Sequence, residues 1–307
     1  MIGFLKIFSE ILIAILVCLN FQLSAQIILV NNPSNNAVAF NPAFSAIYTP
    51  FNLNYLPKSI CISTRITKNQ FDILSTGQYF FFKRNIGISG SHNYFNQSGT
   101  SIQKFNLGLS YQLVFFDNVS TGWGVALNNT NLNTDSTKYF SVYNVTENYT
   151  LKNSTYTTLT FGNIINYNQL LFGFSIQPKG LIFFNIKGSY FTSGSAQLKY
   201  KHTLTRNLNL TIWYNGNWNS INNVYLLSET YKKNKFQSHT LNFQISGSKR
   251  YLAGLGLRVS DFNYTSLIAK VGYTNRKIQF LYGAEPYFIG TKYSEIIHEL
   301  SMMLKFD

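Results

Sequence analysis

The chain has 307 residues, of which 45% are hydrophobic and 17% aromatic, but only 12% are charged. Soluble domains carry about a quarter charged residues, and a solvated disordered chain needs charge and few aromatics, so both classes are disfavoured. A mean hydropathy of −0.03 argues against the opposite extreme, a bundle of membrane helices that each need about 20 consecutive apolar residues. A chain poor in charge yet too polar for helical spans has the composition of a transmembrane β-barrel, in which apolar and polar residues alternate.

The charge balance is lopsided, with 25 Lys and Arg against 11 Asp and Glu, a formal +14. The basic residues are scattered and form no helix or stripe, so the excess does not indicate nucleic acid. The densest cluster is Lys232, Lys233 and Lys235, set between Tyr231 and Phe236. It suits a solvated loop or, more specifically, a contact with anionic lipid head groups or an acidic partner surface.

In chain order, Lys6, the apolar run Ile11–Leu19 and the small-residue end Leu23-Ser24-Ala25 have the layout of a secretory signal peptide over residues 1–25. The expected mature chain keeps one cysteine, Cys61, so no intramolecular disulfide can form. Residues 26–57 then precede the first expected strand, near Ile60. Within them lies Phe40-Asn41-Pro42-Ala43-Phe44-Ser45-Ala46, where Pro42 restricts Asn41 to extended geometry and the small Ala43 and Ala46 allow a turn to pack closely.

From residue 58 to 307 the dominant signal is period two. Phe105, Leu107, Leu109, Tyr111, Leu113 and Phe115 share one face, opposite Lys104, Asn106, Gly108, Ser110 and Gln112. That is longer than a typical soluble strand and matches the 9–11 residues of a tilted membrane strand. The alternation returns in Leu208–Tyr214, in Ser238–Ile245, in Tyr251–Ser260 and in Glu299–Phe306. Aromatic clusters at Tyr79-Phe80-Phe81-Phe82, Phe115-Phe116 and Tyr190-Phe191 have the placement of interfacial girdles. With turn clusters between the segments, the expected architecture is an all-β antiparallel barrel of about fourteen strands. The longest connection is expected over 128–154, an external loop rich in Asn and Thr.

Candidate chemistry is sparse. His92, His202, His239 and His298 are isolated from one another and from Cys61. His298-Glu299 begins like a zinc-protease signature, but Met302 occupies the place of the second ligand, and a strand would put the pair on opposite faces. Gly254-Leu255-Gly256 belongs to a strand pattern and not to a phosphate loop. The carboxylates show no pairing by spacing. No catalytic residue, metal site or cofactor is expected.

Asn41-Pro42-Ala43-Phe44 resembles the end of the opening segment of the PorP/SprF family, outer-membrane proteins of the Bacteroidetes type IX secretion system. His298-Glu299 before Leu300–Phe306 is similar to that family's entry into its last strand. Leu255-Gly256-Leu257-Arg258 followed by Val271-Gly272-Tyr273 resembles its C-terminal third. Departures are Ala46 where glycine is usual and Thr274-Asn275-Arg276 after the Gly-Tyr pair. The resemblance implies a non-enzymatic barrel of the cell outer membrane that assists export or surface attachment of cargo such as adhesins, in protein secretion and gliding motility. Its partners would be outer-membrane lipid, secretion-machinery proteins and secreted cargo with a C-terminal sorting signal, with no nucleic acid. The alternative is a FadL-type transporter of hydrophobic small molecules, also a barrel of about fourteen strands with an Asn-Pro-Ala-bearing segment in its lumen. A general porin, with a wide channel and charged rings, fits the sparse charge less well. On the secretion reading, residues 26–57 would close the periplasmic mouth, and the loops at 128–154 and 232–235 would present a partner surface.

Overall fold

A computed structural model describes residues 36–46, 58–67, 70–97, 100–116, 118–134, 154–178, 182–183, 192–205, 207–221, 234–247, 250–260, 264–289 and 292–306. The signal peptide and most of the segment before the first strand therefore lie outside the described residues, as do Lys232 and Lys233.

Period-two patterning has the expected consequence. Strands β1 (Lys58–Ile66), β2 (Gln70–Phe81), β3 (Ile86–Gln97), β4 (Thr100–Phe116), β5 (Val119–Thr134), β6 (Ser154–Tyr167) and β7 (Leu170–Gln177) form antiparallel neighbours in chain order. After the two-residue β8 (Ile182–Phe183), which pairs with β6, the series resumes. It continues with β9 (Thr192–Thr205), β10 (Leu208–Ile221), β11 (Asn234–Gly247), β12 (Tyr251–Ser260), β13 (Tyr264–Thr274), β14 (Ile278–Ile289) and β15 (Lys292–Lys305). β15 pairs with β1, and β9 adjoins β10 across the turn at 206–207. Leaving out β8, this is a closed ring of fourteen strands. Closure satisfies the edge groups that lipid cannot hydrogen-bond.

The faces divide as lipid requires. Phe105, Leu107, Leu109, Tyr111 and Leu113 of β4 are exposed, whereas Lys104, Asn106, Ser110 and Gln112 are buried. One end of the barrel, with Lys58 and Phe306, has only short connections (82–85, 117–118, 168–169, 206–207, 248–250, 275–277). The strand ends at the other are joined by four short connections (67–69, 98–99, 261–263, 290–291) and by all three long ones (135–153, 178–191, 222–233). In bacterial barrels the end that has only short turns is periplasmic. Tyr79, Phe81, Phe82, Phe115, Phe116, Trp123, Tyr167 and Tyr251 are exposed near the short turns, as an interfacial girdle would be.

Two expectations are corrected. The long connection does not begin at Asn128, because β5 runs to Thr134. Asn128 is an inward-facing strand residue whose amide donates to Thr160 Oγ1 at 2.8 Å and whose Oδ1 accepts from Asn106 at 2.9 Å. A run of Asn and Thr that looks like loop chemistry is here a hydrogen-bonded lumen face. The inner face is also less uniformly polar than the alternation suggests: Leu74, Phe80, Ile164, Leu171, Trp213, Leu252, Ile268, Leu281 and Met303 point inward and are buried.

Candidate functional site: a segment seated inside the barrel

Residues 36–46 lie within the ring. Ala37–Phe40 make one helical turn, α1, and Pro42–Ala46 a 3-10 turn. Asn41 between them is extended, with φ −149° and ψ 112°, the geometry that a following proline imposes. Every residue from 36 to 46 is buried, Ala43 and Ala46 completely.

The segment is fixed through its polar groups. Asn36 donates to Ser63 Oγ of β1 at 2.9 Å and accepts from Thr76 Oγ1 of β2 at 3.2 Å. At the other end of α1, the Phe40 carbonyl accepts from Ser175 of β7 at 2.7 Å and Ser195 of β9 at 3.2 Å. The Asn41 amide faces three acceptors: the carbonyls of Asn163 and Phe174, each at 3.1 Å, and Gln197 Oε1 at 3.3 Å. Its Oδ1 accepts from the Ala43 N–H at 3.0 Å, shaping the turn. Ser45 pairs with Ser110 of β4 at 2.7 Å.

The wall beneath is made for close approach. Register aligns Gly87, Ser110, Gly124, Gly162, Ser175 and Ser195 in one row across β3, β4, β5, β6, β7 and β9. A Cβ at Gly124 would sit 2.5 Å from the Ala43 nitrogen, one at Gly162 would strike Asn41 Oδ1, and one at Gly87 the Ser45 carbonyl. Glycine is required here because another backbone occupies the space where a side chain would be. Beside this bed, Ala37, Val38, Ala43 and Phe44 join Ile164, Leu171 and Trp213 in one apolar cluster, with the Phe44 and Trp213 ring centroids 5.8 Å apart. Ala39 and Phe40 pack on Leu74. Asn41, Pro42, Ala43 and Phe44 thus occupy one site.

A second constellation is not readable from spacing. Arg65 of β1 bonds Glu285 of β14 at 3.2 Å and lies 3.7 Å from Glu299 of β15; Glu285 also takes Arg258 of β12 at 2.6 Å. Arg65 stands opposite Asp72 in the β1–β2 register and opposite Glu299 in the β1–β15 register. All four paired side chains are buried. Charges so far from water must be paired, and strand closure brings the partners together. From Glu299 a chain of hydrogen bonds runs through Ser301 (3.0 Å) and Ser63 (2.8 Å) to Asn36 of the inner segment.

The remaining expected positions are dispersed. Lys235 belongs to β11, opposite Ser220. His298 is exposed with Tyr282 Oη at 2.7 Å from its Nδ1, whereas Glu299 is buried. His92 stacks on Phe105, His202 on Tyr200, His239 on Tyr214 and His298 on Tyr282, so the histidines sit apart on the outer face.

No family model matches the chain, and no curated protein matches it. Solved structures do. The CymD monoaromatic hydrocarbon channel is 11% identical with a TM-score of 0.55, over 92% of this chain and 94% of that one. The P. putida toluene transporter TodX is 8% identical with a TM-score of 0.53, over 85% and 94%. The Ralstonia pickettii toluene transporter TbuX is 9% identical with a TM-score of 0.51, over 89% and 94%. At such identities the likeness concerns architecture, and with the closed ring and its lipid-facing belt it makes this chain an outer-membrane β-barrel.

Proposed function

We propose that the protein passes small hydrophobic molecules across the outer membrane, through a lumen closed at rest by residues 36–46. The observation that carries this reading is what the segment covers. Val38 and Phe44 lie on inward-facing Ile164, Leu171 and Trp213, and Phe40 lies on Leu74. Displacing the segment would open this apolar surface inside the barrel, as a hydrophobic solute needs, beside the polar Ser175, Ser195 and Gln197 that hold it. CymD, TodX and TbuX, which share the architecture, are by name a hydrocarbon channel and toluene transporters.

The test is uptake of radiolabelled toluene by proteoliposomes. A Ser45→Cys, Ser110→Cys pair, made in a Cys61→Ala background, should lock the segment where the two hydroxyls now meet. Uptake that exceeds empty vesicles and falls when the lock is oxidised supports the proposal. Uptake indifferent to the lock refutes it.

The second reading is a role in type IX protein secretion. Its support is Asn41-Pro42-Ala43-Phe44, which resembles the PorP/SprF opening and here occupies the lumen, as suits an export component that must not leak. Affinity purification from the native outer membrane separates the two: a large secreted adhesin or translocon component favours secretion, and its absence with toluene uptake favours transport.

A further inference from the structure

A groove of about 420 Å³ indents the outer wall near the short-turn end. In the register of β1 to β4, Ile60, Gly77, Gly90 and Leu107 form one outward row, so two glycines stand between two large apolar residues. The next row towards the turns is Lys58, Tyr79, Ile88 and Leu109. No atom approaches a Cβ built at Gly77 closer than 3.9 Å, or one at Gly90 closer than 3.7 Å. These glycines therefore face open space and no backbone crowds them, unlike those under the inner segment. The notch is apolar and lies at membrane depth.

Its mouth is basic. Lys58 places Nζ 5.2 Å from the Tyr79 ring centroid at the rim. β2 runs directly into the turn Phe82–Arg84, where Lys83 and Arg84 are exposed. Phe306, whose N–H donates to the Lys58 carbonyl at 3.0 Å, closes the other side. An apolar slot with Lys58 on its rim and with exposed Lys83 and Arg84 on the turn that continues β2 is complementary to one class of molecule. We propose that this groove binds an anionic phospholipid of the periplasmic leaflet, with an acyl chain in the Gly77–Gly90 notch and the phosphate at Lys58, Lys83 and Arg84. The site is independent of what crosses the lumen, since every side chain it uses is on the outer wall or a turn.

Native mass spectrometry of the full mature chain, purified in an uncharged detergent and offered equimolar phosphatidylglycerol and phosphatidylethanolamine, tests this. Each basic residue near a membrane surface changes affinity about fivefold, so with three of them the wild type should retain one phosphatidylglycerol with about a hundredfold preference. Lys58→Gln, Lys83→Gln, Arg84→Gln together should bring the preference close to one while leaving the barrel intact, because all three groups lie at the rim or on a turn. Gly77→Leu with Gly90→Leu should fill the notch and abolish retention of both lipids, with folding checked by heat-modifiable gel mobility. Equal retention of the two lipids by the wild type overturns the proposal, as does a preference that survives the charge variant. Displacement of phosphatidylglycerol by added lipid A overturns the assignment to the periplasmic leaflet.

Discussion

Phe44→Ala should loosen the inner segment without altering the wall it rests on. Phe44 is 1% exposed and packs with Ile164, Leu171 and Trp213. Truncating a buried Phe to Ala costs about 3–5 kcal/mol. Taking the lower figure, about 3 kcal/mol at about 1.4 kcal/mol per factor of ten gives a rise of roughly 150-fold in the ratio of undocked to docked segment. Ser45, 4% exposed, serves as the reporter: Ser45→Cys in a Cys61→Ala background reacts with a water-soluble maleimide only when the segment leaves its bed. When docking is fast relative to labelling, the rate follows the undocked population, so Phe44→Ala should speed labelling by about two orders of magnitude. Equal rates in the two proteins, with both barrels folded, would refute the view that Phe44 anchors the segment.

Gly162→Val places a side chain where Asn41 Oδ1 now lies and should raise labelling as strongly as Phe44→Ala, whereas Gly90→Ala, which meets nothing nearer than 3.7 Å, should not. Glu285→Gln removes the carboxylate shared by Arg65 and Arg258; breaking a buried pair costs about 3–5 kcal/mol, read as a lower urea midpoint in detergent or lipid. Leu109→Arg, on the exposed face of β4, should destabilise the barrel by up to about 2–4 kcal/mol if it lies near the bilayer midplane, measured by the same unfolding. Conductance in planar bilayers should be small for the full mature chain and larger for Asn41→Ala, which deletes the amide facing the Asn163 and Phe174 carbonyls.

The barrel was legible because its signal is local. Phe105 to Phe115 alternate with polar residues, and the same alternation specifies both strand and lipid-facing side. The extent of β5 was not, because Asn128 and Thr130 look like loop residues until Asn106 and Thr160 are set opposite them. The ionic cluster was beyond reach for a stronger reason. Arg65 and Glu285 are separated by 220 positions, and only the registers of β1, β14 and β15 bring them together. The inner segment was half legible: Asn41-Pro42 marks an extended joint in any chain. The row of Gly and Ser residues that receives it becomes visible only when six strands are aligned.

The turn of helix that begins at Asn36 has a mechanical consequence. It is tethered to β1 and β2 at one end and to β7 and β9 at the other, and β1 and β9 lie on opposite sides of the ring. The segment is therefore a cross-brace between two walls of the ring, held by side-chain hydrogen bonds at each end, so loss of the bonds at either end uncouples one wall from the other.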